Sequence, residues 1–283
     1  MQNNQFEPVE DLDMLTLLKI FAESWRWIAA CVVAGGGIAI TTIILSPTIY
    51  EAVAIFQVAQ DGQVGQSGQV NSVLVEAPQT AIERIRTGAF QIEAANNSGY
   101  SPWIKAIKHQ SKLGEQFYSL QIIKNTNLIE IRARSDSNEN SKKIIIEILK
   151  SIAKRHDELA APSLQRMRSE LGLAKEKLEI TEKESIDLKK LLELSRMRNE
   201  QFSQFTLLTS VKQVKESELF AQRQLIVALN IALAKPATQP TKALEEVYIT
   251  DEPISPDKWK ISILGLLGGL FFGLFPTLMR HFG

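Results

Sequence analysis

The sequence predicts an α+β protein: two transmembrane helices flanking one external domain built from a small mixed sheet and a long helical hairpin arm. Three observations carry this reading. Two runs, Trp27–Leu45 and Ile261–Met279, hold 19 consecutive uncharged residues each, near opposite ends of the 283-residue chain. Between them, short segments with alternating apolar residues read as strands. After the strands, apolar residues recur at heptad spacing from Leu164 onward.

At about 1.5 Å rise per residue, each uncharged run crosses most of a ~30 Å hydrocarbon core. A buried core helix rarely stays uncharged on every face for that length. The first run is not expected to be a cleaved signal peptide. Glu7, Glu10, Asp11, Asp13 and Glu23 precede it where a leader needs basic residues, and Ser46-Pro47 follows it without a small-residue cleavage pattern. Ile28-Ala29-Ala30-Cys31 resembles a lipoprotein box, but the apolar stretch lies after the cysteine. Lys19 and Arg26 precede the first span, and no Lys or Arg follows it until Arg84. The positive-inside rule therefore places the N-terminus in the cytoplasm, and a second span returns the C-terminus there.

The N-terminal residues Met14, Leu18, Phe21 and Trp25 form a helical stripe leading into the first span, an interfacial helix with partner binding as the alternative. Tyr50–Ala59 reads as a strand with Ala52, Ala54, Phe56 and Val58 on one face. Gln60–Ser72, rich in Gly and Gln, is expected to be a mobile loop. Gln79–Ala95 is expected to be one helix with Ile82, Ile85, Phe90 and Ile92 on its apolar side. Tyr118–Lys124 and Leu128–Arg134 make a hairpin, and Ile144, Ile145, Ile148, Leu149 and Ile152 mark a following helix.

Pro162 is expected to open or kink the next segment. From there Leu164, Met167, Leu171, Ala174 and Leu178 occupy successive heptad core positions. The register then meets Thr181 and Ser185, recovers at Leu188 and Leu192, and weakens again at Ser195. A helix over Ser163–Asn199, about 55 Å long, would reverse within Gln201–Ser210. A second helix over Val211–Ala234 would turn Val211, Val214, Ala221, Leu225, Ala228 and Ala232 inward. Pro236 and Pro240 stop the arm, and Glu246–Thr250 rejoins the sheet. The expected divisions are a cytoplasmic tail (1–26), a first span (27–46), a membrane-proximal base (47–162), the arm (163–240), a return strand and linker (241–260), a second span (261–279) and a short end (280–283).

Catalytic chemistry has no marker here. The sequence holds no Walker A motif and no metal-ligand spacing, and His109, His156 and His281 lie far apart. No catalytic residue, cofactor or metal is expected. The region between the spans is close to neutral, which removes the electrostatic case for nucleic acid. The sharper signal is in the second span. Gly265, Gly269 and Gly273 lie four residues apart, with Gly268 beside them and Gly35, Gly36 and Gly37 in the first span. Aligned glycines let helix backbones approach closely in lipid, so a contact between the spans is expected, within or between subunits.

The whole layout resembles the Wzz-type chain-length determinants, the polysaccharide co-polymerases of bacterial inner membranes. Glu10–Trp27 (EDLDMLTLLKIFAESWRW) looks like the family's lead-in, and Pro47–Val58 (PTIYEAVAIFQV) is similar to its Pro-x-x-Tyr strand, with Pro47 and Tyr50 as the signature positions. Ile129–Leu159 resembles the family's strand, turn and helix. Pro253 and Pro256 before the Gly-rich span resemble its closing motif, with fewer prolines than the pattern has. The resemblance implies a periplasmic domain in a ring-like homo-oligomer that sets polysaccharide length beside a membrane polymerase. The growing polysaccharide and the lipid bilayer are its further partners. A structural envelope adaptor for an export complex is the alternative.

Overall fold

The computed structural model describes residues 14–109, 116–197 and 202–282. In chain order the elements are α1 (Met14–Leu45), β1 (Tyr50–Gln57), β2 (Gln60–Val64), β3 (Val70–Leu74) and the short helices α2 (Pro78–Arg86), α3 (Gly88–Ser98) and α4 (Ser101–His109). Next come β4 (Tyr118–Ile122), β5 (Leu128–Ser135) and the long helices α5 (Asn138–Met197) and α6 (Phe202–Leu233). Two short strands, β6 (Lys242–Ala243) and β7 (Tyr248–Ile249), lead to α7 (Lys258–Phe282). These residues divide into two units. One holds the residues up to Glu51, Ser135–Asn138 and those from Thr250 onward; the other holds Ala52–Arg134 and Glu139–Ile249.

In the first unit α1 and α7 pack along each other. Phe21–Leu45 and Lys258–Thr277 are long and apolar enough to cross a membrane. Their surfaces are apolar and uncovered: Ile44 is 75% exposed and Leu264 74%. A core helix of a water-soluble domain would bury such side chains, whereas a lipid-facing helix exposes them. The N-terminal stripe and the first run lie in one uninterrupted helix, although the side chains of Met14 and Leu18 lie outside the described residues.

The second unit is organised by β1. Its side chains alternate, so Ala52, Ala54, Phe56 and Val58 enter the core together. The sheet order is β4-β5-β1-β6, with β7 also on β1. β6 and β7 pair antiparallel with β1 at Phe56↔Ala243 and Ala52↔Ile249, two ends of an interrupted edge strand. Ile129, Ile131 and Ala133 of β5 meet Ile144, Ile145, Ile148 and Ile152 of α5, all buried, with Ile82 and Ile85 of α2 and Trp103 of α4 closing the cluster.

Several expectations are corrected. Gln60–Ser72 is no loop: β2 and β3 pair from Gln60↔Leu74 to Val64↔Val70. Its turn is made by Gly68 at φ 75°, a conformation that glycine adopts freely. The single helix expected over Gln79–Ala95 is two, because Thr87 is extended (φ −64°, ψ 141°) and ends α2. Ile92 consequently faces solvent. Pro162 neither opens nor ends a helix but sits inside the 60-residue α5. It is exposed, so water can satisfy the carbonyl it leaves unbonded. The second arm helix begins at Phe202, within the segment expected to reverse the chain. Residues 198–201 lie outside the description.

Candidate functional site

Three arrangements stand out. The first is the α1–α7 seam. A Cβ placed on Gly269 would stand 2.5 Å from the Cys31 carbonyl oxygen and 2.9 Å from Val32 Cα. One on Gly273 would lie 3.0 Å from Ile28 Cα, and one on Gly265 would meet Ala39 Cβ at 2.5 Å. Gly35 answers from α1, its missing Cβ replaced by the Gly265 carbonyl. The four-residue glycine spacing thus lies along the line where two backbones touch, within one chain. Gly268 makes no close backbone approach. It has open space above it and lines a groove of about 340 Å³ with Cys31, Ala34, Ile38, Leu264 and Phe272.

The segments flanking the two helices are strapped together. The Ile49 N–H donates to the Ser255 carbonyl (2.9 Å), and the Ile254 N–H returns a bond to the Ile49 carbonyl (2.8 Å). Thr250 adds its N–H and its hydroxyl to the Glu51 carbonyl, at 3.1 and 3.0 Å. Pro47 and Tyr50 lie on one side of this strap and Pro253 and the buried Pro256 on the other. Positions some 200 residues apart in sequence are therefore neighbours in space.

The second arrangement is the arm. Met167 packs with Leu229 and Ala232 in a cluster that includes Leu164, Leu171, Leu233 and, from the β2–β3 hairpin, Val64 and Val70. Ala174 is buried and Leu178 half-buried. Farther along α5 the inward positions turn polar: Thr181, Ser185 and Ser195 are buried, with Gln222 buried on α6. Ion pairs cross between the helices at Lys177–Glu218 (3.1 Å), Lys215–Glu184 (2.8 Å) and Arg223–Glu182 (2.8 Å). Large apolar side chains point outward instead, among them Leu173, Ile180 and Leu191 on α5 and Val214 and Phe220 on α6. Of the α6 residues expected inward, Val211, Val214, Ala221 and Leu225 are exposed, while Ala228 and Ala232 are buried. The arm is thus apolar within its seam near Met167 and Leu229, polar there farther along, and it carries exposed apolar side chains on its outside.

The third is a buried polar network that the sequence did not reveal. His156 on α5 is fully buried, with Nε2 3.1 Å from Glu76 Oε2 and Nδ1 2.5 Å from Thr241 Oγ1. Arg84 of α2 grips the Glu76 carboxylate with Nη2 at 2.7 Å and Nε at 3.1 Å from each oxygen. Burial would raise the Glu76 carboxyl, but hydrogen bonds from Arg84 and His156 hold it below the ordinary value. Burial pushes His156 down, partly opposed by Glu76. Only distance in sequence hid this cluster: no local spacing joins positions 76, 84, 156 and 241. Among the described residues no group of three or more His, Cys, Asp or Glu side chains could hold a metal.

This architecture defines a class: an α+β domain carried between two span-length apolar helices and extended by a helical hairpin. Residues 10–98 match the family model of Wzz, the chain length determinant proteins, a stretch running from the N-terminal tail to the end of α3. The similarity read from the motifs is thus shown over that stretch. No curated protein matches the chain. Among solved structures, a full-length bacterial polysaccharide co-polymerase aligns at 14% identity and a TM-score of 0.41, covering 95% of this chain and 97% of that one. A mutant of the Shigella flexneri lipopolysaccharide O-antigen chain-length regulator WzzBSF aligns at 11% identity and a TM-score of 0.20, covering 73% of this chain and 98% of that one.

Proposed function

We propose that this protein is a non-enzymatic polysaccharide co-polymerase of a bacterial inner membrane. Both termini are cytoplasmic and the main domain is periplasmic. It regulates the chain length of a surface polysaccharide, O-antigen or a related exopolysaccharide, through a ring-like homo-oligomeric scaffold. The match of residues 10–98 to the chain length determinants carries the reading. The lysine and arginine placement around the first span supports the orientation. The arm supports the oligomer, because its exposed apolar stripes are covered most simply by other copies of the same helices. Its partners are then a membrane polysaccharide polymerase, the growing glycan and the bilayer. The assembled domains either measure the glycan or limit how many polymerase molecules gather around them.

Deleting the gene and resolving surface polysaccharide on a gel tests this. The modal chain length is expected to disappear, and restoring the gene should bring it back. An unchanged ladder sinks the proposal. Co-purification with a transport ATPase in place of a polymerase would favour the export-adaptor reading.

A further inference from the structure

We infer that His156 is a proton-operated latch between α5, the helix that enters the arm, and the segment that brings the chain back from the arm to the sheet.

The latch follows from counting hydrogens. Thr241 Oγ1 accepts the Ala59 N–H at 3.1 Å and lies 2.5 Å from His156 Nδ1. The ionised Glu76 carboxylate can only accept, so the neutral ring keeps its hydrogen on Nε2, and Nδ1 is left to accept the one hydroxyl hydrogen of Thr241. With Nδ1 accepting, the neutral ring bears its own hydrogen on Nε2 and gives it to Glu76 Oε2 at 3.1 Å. Both ring nitrogens are then matched, and the neutral ring joins α5 to the strand β6 that begins one residue after Thr241.

A second proton must go to Nδ1. The ring then donates toward Thr241 Oγ1 and displaces the hydroxyl hydrogen, which has to turn into surroundings where Thr241 is only 8% exposed. The opposite side gains, because a charged ring faces the Glu76 carboxylate. Protonation therefore weakens the hold on the return segment and strengthens the hold on the loop before α2.

The charged groups facing the ring are Glu76 before α2, Arg84 on α2 and Asp157 on α5 itself. Arg155 is turned instead to Glu93 of α3 and Glu158. From the return segment the ring's hydrogen-bond partner is the uncharged Thr241. Burial holds the imidazole below its ordinary value, with Arg84 acting in the same direction and Glu76 and Asp157 against it. Burial thus favours the neutral ring, and the proton enters only below the ordinary histidine value.

The test is amide hydrogen exchange on the full-length protein in detergent, corrected for the intrinsic pH dependence of exchange. The Ala59 amide and the Leu244 amide, which donates to the Ile55 carbonyl, report on the return segment. Their protection is expected to fall about tenfold between pH 7.5 and 5.5, on the order of one pH unit of proton linkage. Protection in the β4–β5 hairpin should not change. Thr241→Ser keeps the hydroxyl and should keep the effect; His156→Gln should abolish its pH dependence. Wild-type protection that ignores pH overturns the latch, as does an equal fall in His156→Gln. If His156→Gln does not fold, Thr241→Val decides, since a wild-type fall without the hydroxyl also overturns it.

Discussion

Gly35 and Gly265 occupy each other's side-chain space: a Cβ on Gly265 would stand 2.8 Å from the Gly35 carbonyl oxygen, and the Gly265 carbonyl fills the reciprocal position. Neither residue can enlarge without moving a backbone. Gly269→Leu, one turn along the same line, is expected to destabilise the helix pair by about 1–3 kcal/mol, the usual penalty for overpacking. Gly268→Leu, with open space above it, should change it by less than ~0.5 kcal/mol. Unfolding in mixed micelles with increasing SDS measures both. Equal midpoints for the two variants would contradict the seam.

Gly62 makes the same kind of contact in the other unit, where a Cβ would collide with the Ala232 backbone of α6. Thr238 fastens this junction, accepting the Gly62 N–H at 2.9 Å and donating to the Ala232 carbonyl at 2.6 Å. Gly62→Ala is expected to cost about 1–3 kcal/mol in urea unfolding, while Gly172→Ala, in open space on α5, should be neutral or stabilising by up to ~1 kcal/mol.

These two glycine contacts mark where the sequence was readable and where it was not. Uncharged runs announce the spans because lipid imposes one requirement on every face of a helix. The alternation from Ala52 to Val58 announces β1 because a half-buried strand repeats every second residue. The β2–β3 hairpin left no such trace. Its Gln- and Gly-rich composition is set by a tertiary contact with α6, so locally it reads as loop. Pro162 misled in the opposite direction as far as opening a helix goes, because an exposed proline can sit within one. The polar stretch of the Leu164 register at Thr181 and Ser185 was visible, but not that α6 would present Gln222 and Lys215 to it while turning Val211 and Val214 outward.

Glu76→Gln is expected to cost about 1–3 kcal/mol, because it leaves the buried His156 Nε2–H and the Arg84 guanidinium facing a weaker acceptor. Urea unfolding at pH 7.5 measures it, with loss below ~0.5 kcal/mol counting against the network.

The pH dependence of stability has a fixed sign. His156 has a native value below its ordinary one, so the unfolded chain binds the extra proton first. Its contribution is complete above roughly pH 6.5, the ordinary value, and is lost as pH falls toward the native value. Glu76, also lowered, adds a second loss as pH falls below 4.5, its ordinary value. Unfolding midpoints are expected to decline from pH 7 to 5 in the wild type and to stay flatter over that range in His156→Gln.

On the arm, removing exposed apolar groups should separate assembly from folding. The double substitution Ile180→Ser and Leu191→Ser is expected to leave subunit stability within about 1 kcal/mol, since both side chains are about half exposed. The proposed oligomer, measured by native mass spectrometry, is expected to shift to smaller species. Lys215→Ala, which removes partly exposed pairs to Glu184 and Glu218, is expected to lower the unfolding midpoint only slightly.

The bridge between Ile49 and Ser255 makes the chain leave and rejoin the helix pair through two adjacent antiparallel segments, about 5 Å apart. The second unit, Ala52–Arg134 and Glu139–Ile249, is in chain order an insertion between two points that already touch. A short linker could replace it without stretching the hairpin of helices, and a foreign domain with neighbouring ends could be grafted there.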